Sequence, residues 1–217
     1  WKWVSSWAIV YSHPRDIGFD TPGYDLPELT IHEHIVYVDG GIGGGLFGDV
    51  KVAATNLSSV LRGSIEERVS KAVELLSDRT DPVLIWCNID AEQDALEKAF
   101  PQAVSVRGSD TVEKKEDRLL GFAEGRYRML ITKPKIGGYG MNWQHCHCMA
   151  FVGVTYSFEQ VYQAIRRCWR FGQTMPVDVH MITCNAEDAV MSSLRVKQMA
   201  HTSMTTEMKR YCRMENA

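Results

Sequence analysis

Val83-Leu84-Ile85-Trp86-Cys87 is a run of five apolar residues, and a helical pattern over about Ala91 to Phe100 follows it. A short apolar run followed by a helix is the repeating unit of a parallel sheet covered on both faces, because a strand buried on both sides needs no polar alternation. The unit recurs along the chain. Ala103-Val104-Ser105-Val106 leads to a helical pattern over about Val112 to Glu124, and Tyr127-Arg128-Met129-Leu130-Ile131-Thr132 leads to a loop. Met149-Ala150-Phe151-Val152-Gly153-Val154 precedes a helix over about Phe158 to Arg170, and Val177-Asp178-Val179-His180-Met181-Ile182 precedes a long helix from about Ala186. Five strands, all read as parallel, predict an α/β fold of three layers, α/β/α, around a mostly parallel sheet. In open sheets of this kind ligands meet the loops after strand C-termini, which places function near 87–90, 107–110, 132–144 and 154–157.

Upstream of this core, Ile65, Val69, Ala72, Val73 and Leu76 recur at helical spacing, and Ser64 with Glu67 three residues later predicts a capping box at the start of that helix. Ile31 to Val38 alternates, with Ile31, Glu33, Ile35 and Tyr37 on one face and His32, His34, Val36 and Val38 on the other, and reads as a strand. The Gly-rich stretch 40–48 ends it. Residues 1–29 are aromatic, then rich in Pro, Gly and Asp, a composition that favours turns. They are read as a linker or tail, and residues 30–217 as one domain, the count that a chain of 217 residues allows most simply.

Composition excludes several classes. With 45% hydrophobic and 24% charged residues the chain is ordinary for a globular protein, and no apolar run approaches the roughly 18 residues of a membrane span. The start, Trp1-Lys2-Trp3-Val4-Ser5-Ser6-Trp7, lacks the pattern of a signal peptide and looks like an internal cut point. Cys87, Cys148 and Cys184 sit in or beside apolar runs, the setting of free buried thiols in a reducing compartment, so a cytoplasmic location is expected. A net charge of −3 argues against a generic polyanion binder and leaves nucleic-acid contact to a local patch such as Lys133, Lys135, Arg166, Arg167 and Arg170.

Gln163-Ala164-Ile165-Arg166-Arg167-Cys168-Trp169-Arg170-Phe171-Gly172-Gln173 is the most informative chemical segment. On a helix, Arg167 and Arg170 would project from one face with Gln163 one turn behind Arg167. Two guanidinium forks aimed at one spot repel each other unless an anion or acidic neighbours sit there, and phosphate matches the fork. A solvated basic helix face is the alternative on spacing alone. The segment resembles the last helicase motif of superfamily two ATPases, in the Swi/Snf-like branch, whose pattern is Gln-Ala-x-x-Arg-x-x-Arg-x-Gly-Gln. Every fixed position is present. The resemblance implies a RecA-like C-terminal lobe in which Arg167 and Arg170 reach across a cleft to the γ-phosphate of ATP held by an N-terminal lobe.

Thr132-Lys133-Pro134-Lys135-Ile136-Gly137-Gly138-Tyr139-Gly140-Met141-Asn142-Trp143-Gln144 follows a strand, as the family's penultimate motif does. Glycines at 138 and 140 let backbone approach a ligand, and Lys133 and Lys135 can meet phosphate oxygens. By resemblance Gly138, Gly140, Asn142 and Gln163 would line the nucleotide, and Arg107, Gly108, Ser109, Thr132, Lys133 and Lys135 would face a nucleic-acid strand, with DNA the expected one. The end of the Leu84 to Asn88 strand, Glu116-Asp117-Arg118 with Phe122, and Tyr156-Ser157-Phe158-Glu159-Gln160 keep the same register, which covers about residues 80 to 185 and looks most like phage or bacterial helicases. The implied cofactor is ATP with Mg²⁺, the implied partner an N-terminal RecA-like lobe in the same chain or a separate one, and the implied setting a bacterial or phage-infected cell. Residues 1–30 would be the tail of that first lobe.

Departures limit what the chain can do alone. It has no Gly-x-x-x-x-Gly-Lys-Ser/Thr loop and no Asp-Glu-x-His box, so the groups that cradle β/γ-phosphates and hold magnesium are missing and ATP turnover by the isolated chain is not expected. Gly40 to Gly48 lacks the Lys-Ser/Thr ending and reads as a loop. His145-Cys146-His147-Cys148 could suggest zinc, but adjacent residues entering a strand point to opposite faces, and no metal site is assigned. Cys168 is expected to pack inward. The alternative function is a stand-alone module that binds nucleic acid or a partner without hydrolysis.

Overall fold

The computed structural model describes residues 2–38, 61–138, 140–154 and 157–215; the Gly40 to Gly48 loop, Tyr139 and Tyr156 lie outside them. In chain order the elements are a short helix α1 (Lys2–Ser5), a 3-10 turn (Pro14–Ile17), β1 (Leu29–Val36), α2 (Ile65–Leu76), β2 (Val83–Cys87), α3 (Asp90–Ala99) and β3 (Val104–Ser105). Then follow α4 (Val112–Ala123), β4 (Met129–Thr132), α5 (Pro134–Gly137), β5 (Cys148–Val152), α6 (Phe158–Ile165), β6 (Val177–Cys184), a 3-10 turn (Asn185–Glu187) and α7 (Asp188–Glu215). Among the described residues the strands form one sheet in the order β1-β6-β5-β2-β4-β3, and every pairing is parallel. The five strands read from the sequence are all present, and β1 joins them at the edge beside β6.

The side-chain period of two sorts the strands into two apolar layers. Val83, Ile85, Met129, Ile131, Ala150 and Val152 face α2 and α3 through Val69, Ala72, Leu76, Leu96 and Phe100. Leu84, Trp86, Leu130, Met149, Phe151 and Val179 face α4, α6 and α7 through Phe122, Val161, Ala164, Val190 and Leu194. Three layers result, as the alternation of runs and helices requires. On β1 the expected faces hold, yet Ile31 and Ile35 stay largely exposed because an edge strand is flanked by the sheet on one side only.

Three local expectations are corrected. Ser64 does not cap α2: its hydroxyl donates to the Leu61 carbonyl at 3.0 Å and accepts from Arg68 Nε at 3.0 Å, so the capping box with Glu67 does not form. Side-chain caps do form at Thr111, accepting from the Lys114 amide, and at Ser157, accepting from the Gln160 amide. The helix expected to run to Arg170 ends at Ile165, and the residues after it turn. Residues 1–29 carry, besides turns, the short helix α1.

A polar cluster lies beneath the loop after β5. Arg68 of α2 is fully buried and donates to Glu92 of α3 at 2.7 Å, to Ser64 and to the Leu61 carbonyl, while the second Glu92 oxygen accepts from the amides of Asn88 and Ile89. Gly153 closes this cluster with φ +85, and a Cβ there would stand 2.3 Å from Arg68 Nη1.

On the face of β1 and β6 that meets α2, His32 stacks on His180 with ring centroids 5.0 Å apart, His34 Nε2 lies 3.1 Å from His180 Nδ1, and His32 Nε2 lies 2.9 Å from Asp178. Burial, then the neighbouring His34 and His32, push His180 down to about 4, and burial with Lys71 lowers His34. Asp178 opposes the shift of His180 and Arg79 adds to it. The folded state thus resists protonation that the unfolded chain accepts near pH 6.5. Stability is full above that pH and declines as pH falls from about 6.5 toward 4. Melting temperature measured from pH 7 to 5 should fall, and His180→Asn should flatten the slope.

Candidate functional site

The turn after α6 and the loop after β4 are zipped together, and the two arginines lie in the seam. Arg166 amide returns to Tyr162 and caps α6; tighter bonds then take over, Arg167 to Ala164 and Cys168 to Ile165. Cys168 is buried between the arginines, as expected, and burial raises its thiol well above the usual range. The turn ends at Gly172 with φ +89, where a Cβ would meet the Gln144 side chain at 2.6 Å. Trp143, fully buried in the loop, donates its amide to the Arg167 carbonyl at 2.9 Å. Gln173 donates to the carbonyls of Cys146 and Cys168 and accepts from the amides of Thr174 and Met175. Gly172→Ala forces a β-carbon into left-handed backbone at a cost of about 1–2 kcal/mol. Chemical denaturation should read that loss.

Arg167 and Arg170 converge, although on a turn and not on a helix face. Arg167 Nη1 and Arg170 Nη1 both donate to the Met141 carbonyl, at 3.1 and 3.2 Å. Gln163 holds Arg167 a second way: its carbonyl accepts from Nε at 3.0 Å and its side-chain oxygen from Nη2 at 3.2 Å. Arg170 spends one N–H on Met141, and its remaining donors have no hydrogen-bond partner among the described residues. Both side chains are half-buried.

The other expected residues are distributed more widely. Gly140 has φ +78 and open space around it, and Asn142 is exposed, so both stand at the loop surface beside Met141. Gly138 is buried for a local reason, since a Cβ would strike the Pro134 carbonyl at 2.2 Å. On the rim formed by strand C-termini, Gly108, Ser109 and Lys135 are exposed. Arg107 on that rim is clamped by Glu97 and Asp94, and Lys133 pairs with Asp90 at 2.6 Å. Those bonds raise the Arg107 guanidinium and hold the Glu97 and Asp90 carboxyls low. Thr132 turns inward, fully buried, with its hydroxyl on the Val106 carbonyl at 3.2 Å.

Sequence reasoning missed the Met141 carbonyl, because a backbone acceptor has no residue signature. It also left Trp143, Gln144 and Gln173 without roles. In the His145 to Cys148 segment, His145 packs on Phe122, His147 pairs with Asp81 at 3.1 Å, and both cysteines are buried. Among the described residues no group of three or more His, Cys, Asp or Glu is disposed to hold a metal ion, and no helix is long and apolar enough to cross a membrane.

An all-parallel three-layer lobe of this strand order has the RecA-like α/β fold. Residues 67–172 match the family described as Helicase conserved C-terminal domain. Among solved structures the chain is similar to the crystal structure of the C-terminal part of the Fun30 ATPase domain, with a TM-score of 0.52 and 21% identity. That likeness is one of fold; it covers 61% of this chain and 45% of that one, so this chain spans under half of that structure's length. No curated protein matches the sequence.

Proposed function

We propose that the chain is the arginine-finger lobe of an ATP-dependent DNA helicase or translocase, Swi/Snf-like and of phage or bacterial type. The observation that carries this reading is the convergence of Arg167 and Arg170 on the Met141 carbonyl, with donors of Arg170 left over. An anion with several oxygens fits those donors better than a second neutral carbonyl does. ATP with Mg²⁺, held by an N-terminal RecA-like lobe, would supply the transferring phosphoryl group. Arg170 offers its N–H groups to the developing charge, and Arg167 is kept in place by Gln163. Gly140 and Asn142 flank Met141 at the loop surface, and Gly108, Ser109 and Lys135, which are exposed, would meet the nucleic-acid backbone.

The clamped state of Arg107 and Lys133 argues for modest affinity in the isolated lobe, since each must exchange a carboxylate for a phosphate before it contributes. Binding of single- and double-stranded DNA by the isolated chain should therefore be weak and lost by about 0.2 M salt. Near-micromolar binding that survives such salt would instead identify a stand-alone module. Lys135→Ala should weaken binding alike for all sequences and lower the salt slope by about one. The decisive test is ATP turnover by a protein carrying both lobes with either arginine replaced, read beside the melting transition.

A further inference from the structure

The turn that carries the two arginines is also held from its other side, by the chain's own N-terminal stretch. Trp169, between them, donates its indole N–H to the Pro27 carbonyl at 2.8 Å. Arg166 lies over the same indole, its guanidinium carbon 5.2 Å from the ring centroid. Directly after Arg170, Phe171 packs on Tyr24 with ring centroids 4.7 Å apart. Gly23, at φ +88, brings backbone close enough that a Cβ would lie 3.7 Å from the Phe171 ring.

The stretch is itself braced. Asp25 binds Arg15 at 2.6 Å and His13 at 3.3 Å, the His13 ring stands edge-on to Tyr24, and Asp16 is tied to Lys209 of α7 at 2.7 Å. These side-chain contacts lie outside the sheet ladder, which begins at Leu29. A turn that bonds to the end of α6 through Arg167 to Ala164 and through Cys168 and Trp169 to Ile165 is thus also held by Trp143 and by Tyr24 and Pro27.

We infer that residues 13–28 are a positioning strap for the arginine pair: Tyr24 and Pro27, acting through Phe171 and Trp169, set where the Arg167 and Arg170 guanidinium groups stand. The inference rests on the arginine-finger reading and adds a control to it. Any displacement of the strap relative to the sheet reaches the turn through two contacts. Misplacing a catalytic group by about 1 Å can cost on the order of 10²-fold in rate. Trp169 and Phe171 are positioning residues, since they touch the turn and not the reacting atoms.

The test uses Tyr24→Ala, which removes the ring under Phe171, and Trp169→Phe, which keeps a ring and removes the N–H. In this 217-residue chain, amide hydrogen exchange of 166–173 should rise about tenfold in either variant, with exchange of 83–87 unchanged as the reference for global stability. In the protein carrying both lobes, kcat should fall about tenfold while KM for ATP stays within about twofold, and Tyr24→Phe should restore both readouts. Unchanged exchange at 166–173 overturns the strap. So does raised exchange with wild-type kcat in a protein whose turnover Arg170→Ala abolishes. Wild-type turnover in Arg170→Ala itself overturns the arginine-finger reading, a result distinguishable because the exchange measurement does not depend on it.

Discussion

In a protein carrying both lobes, Arg170→Ala is expected to lower ATP turnover by about 10³-fold or more, the range for a residue that stabilises charge in phosphoryl transfer. The size follows from the donors that Arg170 has left over after Met141, which a methyl group cannot replace. Arg167→Ala should fall in the same range, because Arg167 shares that carbonyl and is further fixed by Gln163. The double variant should be little slower than the worse single one, since groups that act as a unit are not additive. Lysine at either position should rescue poorly, for a point charge does not reproduce a planar fork. The fold should survive, because both side chains are half-buried and the Met141 carbonyl that both reach is a neutral oxygen. Steady-state hydrolysis beside a melting curve checks the whole set, and turnover within a few-fold of wild type for either alanine variant would sink the arginine-finger reading.

The largest loss of stability is expected from Glu92→Ala. It strips the buried Arg68 guanidinium of its carboxylate and leaves the amides of Asn88 and Ile89 without an acceptor. Breaking one side of a buried pair costs about 3–5 kcal/mol, because the surviving charge stays desolvated. That is a large share of the roughly 5–15 kcal/mol that holds a domain folded. Replacing both partners, Arg68→Met with Glu92→Leu, should recover part of the loss, since an apolar pair carries no desolvation penalty while the Asn88 and Ile89 amides still lack their acceptor. Denaturant unfolding of the three proteins distinguishes the cases; a single variant with wild-type midpoint would show that water reaches Arg68.

The fold was largely legible because strands buried on both faces write themselves as apolar runs. Val83 to Cys87 and Met129 to Thr132 are such runs, and both are fully buried. Boundaries were less legible where tertiary contacts decide them. Nothing local to Arg166 stops α6; the helix gives way where Trp143 takes the Arg167 carbonyl and Gly172 adopts left-handed backbone against Gln144. Arg68 and Glu92 were invisible for a related reason. Each reads as an exposed charge on an amphipathic helix, and only the packing of α2 against α3 buries them together. Ser64 was misread because its hydroxyl serves Arg68 and not the helix start. At the candidate site the arginines were read at helical spacing although a turn carries them, and Thr132 could not be known to turn inward, nor Arg107 and Lys133 to be clamped, before their neighbours were placed.

The oxygen that gathers both arginines belongs to the main chain at position 141, so no codon can delete it. Selection can therefore trade the methionine for other side chains without severing the junction, and a mutational scan of that position should look tolerant although the junction passes through it. Only chemistry on the backbone itself, such as an ester in place of the neighbouring amide to weaken the carbonyl as an acceptor, would test the junction directly.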